Sequence, residues 1–424
     1  MNEIIALLKN HPEVNDYKIN IRQKESDERF FVKGKLETVR HTQTCDKEIT
    51  VYVNHGEYKG DSQFLVYPST TLEEASKLID QAVQKAKLIN NQQYTLPEGT
   101  KGEYAVPSNF DQLEANDLMN AVCKAVFSAN DLENADLNSV EVFINRHTGT
   151  VINSKGMHKT QVRYDAMVEA IPTYNGKDQS VELYQQYNFS DYSQAQIQAE
   201  IREKLQEVKA RYEAVTPDFP VECKVIFNKL EISELIGNIV YDLNYASVYT
   251  QANLFKKDEP VQKAPSGDKL QISMIGAYRG NTASACFDAD GLDLDSIQVV
   301  KDGVAVNYYG SNRYGQYLGQ KPTGNLPIAK VEPGSVTDEE LKTGAYLEVI
   351  SMSGLQVDFY NDYIGGEVRL AYYYDGNRII PVTGISITGS ASKVLSDIRF
   401  SDKIVVCERY AGPHKAILQN MKIF

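Results

Sequence analysis

The sequence predicts an α+β fold: an N-terminal α/β-sandwich-like domain over residues 1–216, then a large antiparallel, β-rich, barrel-like domain over residues 221–424. Three observations predict it. The chain has 424 residues, more than one hydrophobic core organises. Up to residue 216, helical and strand-like patterns alternate in short blocks; beyond residue 248, glycines punctuate the chain at hairpin spacing to its end. Between the two regimes, Thr216-Pro-Asp-Phe-Pro220 interrupts both patterns.

The elements follow in order. Residues 2–10 read as a short amphipathic helix without the basic n-region of a signal peptide. Strand-like runs come next at Asp16–Gln23, Arg29–Thr38 and Lys47–Val53, the last alternating through Ile49, Val51 and Val53. Thr71-Leu-Glu-Glu74 has the form of a capping box. It opens a helix with Leu72, Ala75, Leu78/Ile79, Ala82/Val83 and Ala86 on one stripe, ending near residues 89–91. A second helix, about Leu113–Ala129, turns Leu118, Val122, Ala125 and Val126 inward. Strands return at Ser139–Asn145, Thr150–Asn153, Lys159–Ile171 and Ser180–Asn188, with a hairpin turn at Asn153-Ser-Lys-Gly156. Ser193 caps a long helix to about Ala214, whose apolar stripe is Ile197, Ile201, Leu205, Val208 and Tyr212. The second domain opens with a strand at Glu222–Phe227 and a helix at about Ile232–Val248, and is strand and turn from there on. Asp375-Gly376, between Tyr372-Tyr-Tyr and Ile379-Ile, marks a hairpin.

Composition narrows the function. A formal net charge of −13 argues against nucleic-acid binding, which needs a clustered basic face. No apolar run is long enough to cross a membrane. Cys45, Cys123, Cys223, Cys286 and Cys407 are scattered with no CxxC pair, so they imply neither a disulfide framework nor a thiolate zinc site. Reduced cytoplasmic thiols are the simpler reading. The 27 tyrosines and absence of tryptophan suit a large, half-exposed sheet area.

A zinc hydrolase holds two imidazoles on one helical face with a carboxylate beside them. None of His11, His41, His55, His147, His158 and His414 is followed by Glu, and no two stand three to five residues apart. No HExxH or HExxxH exists. A GxSxG elbow, a P-loop and a GxGxxG fingerprint are absent as well. Asp288 and Asp290 flank a glycine turn; the ordinary reading is that they cap it, and a third possibility, an enzyme site of Asp288, Asp290 and His414, has no spacing argument behind it.

Taken in order, a series of segments resembles the TldD/PmbA family, once called modulators of DNA gyrase and regarded as metalloprotease subunits. They are Asn153-Ser-Lys-Gly156 with Thr160, Phe287-Asp-Ala-Asp-Gly-Leu292, Pro322-Thr-Gly-Asn325, Gly365-Gly-Glu-Val-Arg369 with Ala371-Tyr, Pro381-Val-Thr-Gly-Ile-Ser-Ile-Thr-Gly389, Gly412-Pro413 and the apolar ending Met421–Phe424. Ala289 and Asp290 stand where the family has an acidic pair. The resemblance is weak before residue 140 and clear after 220.

It implies a PmbA/TldD-type fold. Zinc-bearing members carry HExxxH early in the C-terminal domain; by this likeness the ligand and base positions hold Ile236, Gly237 and Tyr241, and Cys407 reads as a structural thiol. The resemblance therefore implies a non-catalytic, TldE-like subunit with no catalytic or metal-binding residues and no cofactor of its own. Its expected partner is a TldD-like zinc-bearing subunit, or itself as a homodimer, and the complex acts in the cytoplasm on unfolded or short peptides. Candidate peptide-lining residues are Tyr308, Tyr309, Tyr360, Tyr363 and Tyr372. The alternative is a homodimeric peptide-binding or scaffold protein without a protease partner. Neither reading calls for nucleic acid or membrane.

Overall fold

The computed structural model describes residues 1–218 and 223–424. The end of the expected break, Phe219-Pro220, and the expected strand start at Glu222 lie outside these residues.

The N-terminal half runs α1 (Asn2–Asn10), β1 (Asp16–Val32), β2 (Lys35–His55), β3 (Tyr58–Val66), α2 (Leu72–Ala86), β4 (Lys101–Ala105), α3 (Ala115–Ser128), β5 (Ala135–Asn153), β6 (His158–Asn175), β7 (Ser180–Glu182), β8 (Gln185–Phe189) and α4 (Gln194–Glu213). Its strands form one sheet in the order β3-β2-β1-β5-β6-β4, with β7 and β8 also pairing β6. The expected blocks Asp16–Gln23 and Arg29–Thr38 were divided in the wrong place. β1 is continuous through the polar Gln23–Arg29, because β2 and β5 hydrogen-bond both its edges over its length. The real break is Lys33-Gly34, both at positive φ, a two-residue hairpin turn read through as strand. For the same reason Ser139–Asn145 and Thr150–Asn153 belong to one strand, and Tyr58–Val66 is a strand the pattern did not announce.

The sheet is two-faced. Odd positions of β1, such as Tyr17 and Ile19, pack with Ile49, Val51 and Val53 under α1 and α2, and Phe31 packs in the neighbouring core under α3 and α4. The Thr71 capping box forms as expected, with Thr71 Oγ1 and the Glu74 carboxylate each accepting the other's backbone N–H, at 3.2 and 2.8 Å. Leu72, expected on the α2 stripe, is instead exposed. The approach of α2 to the sheet is so close that a Cβ on Gly60 would stand 1.8 Å from the Ala86 carbonyl oxygen.

The C-terminal half runs β9 (Lys224–Asn228), α5 (Lys229–Asp242), α6 (Tyr245–Tyr249), β10 (Ile272–Ile275), β11 (Ser296–Lys301), β12 (Val304–Ala305), α7 (Asn312–Tyr317), β13 (Ile328–Val331), α8 (Asp338–Leu341), β14 (Tyr346–Met352), β15 (Gln356–Asp358), β16 (Tyr363–Tyr374), β17 (Ile379–Val382), β18 (Ile385–Gly389), α9 (Ala391–Asp397), β19 (Arg399–Phe400), β20 (Ile404–Cys407), β21 (Tyr410–Pro413), β22 (Lys415–Leu418) and β23 (Met421–Ile423). One sheet has the order β12-β11-β10-β13-β21-β20; the other, β19-β22-β9-β14-β16-β18-β23, also carries β15 and β17. Both curl around α5 as a half-barrel, and Ile232, Leu235, Ile236 and Ile239 of that helix fill a core shared by the two sheets. This is the α+β fold with a barrel-like, mainly antiparallel second half that the sequence predicts.

Two expectations are corrected here. The single helix Ile232–Val248 is two helices: α5 starts at Lys229 under an Asn228 cap, and Asn244 stops it and caps α6. The stretch beyond 248 is not only strand and turn, for α7, α8 and α9 each begin behind a hydroxyl cap, Ser311, Thr337 and Ser390. Asp375-Gly376 does join two paired strands, β16 and β17.

Candidate functional site

α5 turns one stripe, Ser233, Gly237 and Tyr241 at i, i+4 and i+8, toward a groove of about 200 Å³ closed by Tyr309, Pro327 and Arg409. Gly237 stands over open space, with nothing within 4 Å of where a Cβ would be. Tyr241 is 74% exposed, whereas Ile236, on the opposite side of the helix, is fully buried in the core. A zinc ion needs nitrogen, sulfur or carboxylate donors converging at about 2 Å. A sec-butyl side chain in the core, a bare backbone and one solvent-facing phenol do not fit that group. Cys407 sits behind the helix start with Sγ 3.8 Å from the Lys229 carbonyl. Burial pushes its thiol up to about 12, so it is a neutral packing group. Among the described residues, no three His, Cys, Asp or Glu side chains are grouped to hold a metal ion.

Of the expected peptide-lining tyrosines, Tyr309 alone lines the groove. Its carbonyl accepts the Tyr245 N–H at 2.7 Å, which pins it to the α5–α6 junction, and burial pushes its phenol up to about 12. The others lie elsewhere. The Tyr308 hydroxyl accepts the Lys257 N–H at 2.8 Å, and exposed Tyr360 donates to the Ala252 carbonyl. Tyr363 and Tyr372 are half-buried on β16.

Past Pro327 and Arg409, which line both, the groove opens into a larger cleft of about 630 Å³ between the N-terminal sheet and the C-terminal half. The sheet's second face makes its floor. Even positions of β1 and odd positions of β6 point this way, and their side chains tie the halves together. Lys18 pairs with Asp290. Lys159, only 2% exposed, donates to Asp293 at 2.7 Å and the Gly291 carbonyl at 2.9 Å. Gln161 accepts the Cys286 N–H at 2.8 Å and donates to the Phe287 carbonyl at 3.0 Å. The loop Phe287–Leu292 is thus a clasp between the halves. Asp288 accepts three backbone N–H groups, from Asp290, Leu292 and Asn325, so it caps the turn. Burial, with Asp290 beside it, raises its pKa. His414 does not join these carboxylates; its Nδ1 meets Ser401 Oγ at 2.8 Å and its Nε2 the Asp338 carboxylate at 3.0 Å.

At the first turn of α5, Glu231 is 6% exposed with one carboxylate oxygen unpartnered among the described residues. It faces a third cleft, lined also by Lys204 and Glu207 of α4. Burial pushes it up to about 7.

Sequence spacing did not announce the cation-lined floor of the large cleft, because its residues meet only through strand register. Lys24 lies opposite His147, and His147 opposite Arg163.

Residues 220–423 match the family of the PmbA/TldA metallopeptidase C-terminal domain. TldE from Thermococcus kodakarensis superposes with a TM-score of 0.80 at 14% identity, over 100% of this chain and 99% of that one. A protein from Thermotoga maritima described as a modulator of a DNA gyrase gives 0.75 at 16% identity, over 100% and 99%. Another so described, from Bacteroides thetaiotaomicron, gives 0.78 at 13% identity, over 99% and 97%. At such identities the structural likeness speaks for the fold alone. No curated protein matches the sequence.

Proposed function

We propose that this chain, which belongs to the TldD/PmbA family through its C-terminal half, is the non-catalytic, TldE-like subunit of a two-component zinc metallopeptidase. The observation that carries the reading is that three positions of α5 offer no imidazole, thiol or carboxylate: Ile236 faces the core, Gly237 is bare and Tyr241 points to solvent. The partner supplies the zinc, and this chain supplies substrate-lining surface. Peptide held as an added strand gains affinity from main-chain hydrogen bonds with little sequence preference, which suits unfolded or short peptides. Tyr309 is the tyrosine we assign to that surface; Tyr308, Tyr360, Tyr363 and Tyr372 lie away from the groove. The division at 1–216 and 221–424 is part of this proposal. Five unpaired thiols support a reducing, cytoplasmic setting, and no helix among the described residues is long and apolar enough to cross a membrane.

The test is purification alone and with a HExxxH-bearing relative from the same genome. The expected result is no peptide hydrolysis by the chain alone and activity from the co-purified pair. Hydrolysis by the chain alone, lost on chelation, contradicts the reading. The large polar cleft favours a second reading, a homodimeric peptide-binding protein; it prevails if no zinc-bearing relative co-purifies and the chain still captures peptides as a dimer.

A further inference from the structure

The floor of the large cleft is a row of cationic side chains set by strand pairing. Lys24 of β1, His147 of β5 and Arg163 of β6 are direct cross-strand neighbours, so they leave the same face of the sheet side by side. Arg22 stands on that face two residues before Lys24, opposite Gly149. Arg409 enters from the C-terminal side, and all five line the cleft.

The counter-charge is small. Asp46 and Asp288 are the carboxylates of the lining, and Asp288 already accepts three backbone N–H groups. Arg22 stands 3.5 Å from Glu48, and His147 2.6 Å from Asp165. Arg163 donates to the Thr282 carbonyl at 3.2 Å. Lys24, half-buried, has no ion pair or hydrogen bond among the described residues. In a chain of net charge −13 such a row is not an effect of composition.

We propose that this cleft is a carboxylate-binding site for an acidic peptide segment, with Lys24 and Arg163 as its principal charged contacts and Arg409 closing over the ligand. That the ligand is a peptide rests on the peptide-handling function proposed above; that it is anionic rests on the row itself. A cleft of about 630 Å³ holds a few residues of extended chain. Duplex or tracking single strands need a longer basic face, and the acidic remainder of the protein repels a polyphosphate.

The experiment is fluorescence anisotropy on the full chain with three labelled probes: a Glu-rich hexapeptide, its Gln counterpart and a single-stranded oligonucleotide. Lys24→Glu is the test variant. Lys124→Glu, an exposed lysine on α3, carries the same charge change away from the cleft. The Glu peptide is expected to bind more tightly than the Gln peptide and to weaken about tenfold or more in Lys24→Glu, with a change below about twofold in Lys124→Glu. Equal losses in both variants, or Glu and Gln peptides bound alike, overturn the proposal, and the latter leaves peptide handling standing. Oligonucleotide bound most tightly and lost in Lys24→Glu also overturns it, in favour of a phosphate site. Failure of the unsubstituted chain to bind either peptide also overturns it.

Discussion

The groove beside α5 and the cleft over the N-terminal sheet touch at Pro327 and Arg409, yet they treat stability in opposite ways. In the groove, the helix α5, which the proposed reading sets against the metal motif of zinc-bearing members, is built as a packing element, with Ile236 in a core shared by both C-terminal sheets. In the cleft, basic side chains stand side by side in register, and Lys24 among them is half-buried without an ion pair or hydrogen bond among the described residues, so its methylenes are ordered with no partner for the charge. Basic groups held without partners are those to examine for function, and here they lie on the other half of the molecule from α5.

Four substitutions sharpen that contrast. Ile236→Ala should give the largest loss, about 3 kcal/mol, because it empties a fully buried site; a loss of unfolding free energy in urea below about 1 kcal/mol would mean the helix is not a core element. Glu231 comes next. Its folded pKa of about 7 lies above the ordinary 4.5, so the fold prefers the protonated acid. Stability contributed by this group is full below pH 4.5 and is lost as pH rises toward and through 7, by about 3 kcal/mol in all. Glu231→Gln should flatten the difference between urea midpoints measured at pH 5 and pH 8; an unchanged difference assigns it to other groups. Gly237→Ala should stabilise by about 0.5–1 kcal/mol, since a helical glycine with open space at Cβ gains from the methyl. Destabilisation there would show the bare backbone to be needed. Smallest, Lys24→Glu should change thermal stability by no more than a few tenths of a kcal/mol, because Lys24 has no ion pair or hydrogen bond among the described residues; a larger drop would assign Lys24 a structural role.

Legibility in the sequence followed the range of the interactions. Local signals were readable: the Thr71 capping box, the Ser193 cap, the inward stripes of α3 and α4. The hairpin at Asp375-Gly376 was too. The polar centre of β1 was not, because Gln23–Arg29 is held extended by neighbours far along the chain. The break between α5 and α6 was masked by apolar period continuing past Asn244, whose capping role depends on the turn. For the site, the α5 positions 236, 237 and 241 were named from family likeness, but which of them face the groove depended on the helix's rotation in the core. Lys24, His147 and Arg163 became neighbours only once the register of β1, β5 and β6 was known.

The central proposal is that α5 of this chain holds no metal and that recognition belongs to the surfaces around it. Zinc content of the purified, chelator-free chain by elemental mass spectrometry tests it most directly. The account predicts no stoichiometric zinc after dialysis against micromolar zinc; one zinc held per chain, lost on substitution of groove residues, would contradict it.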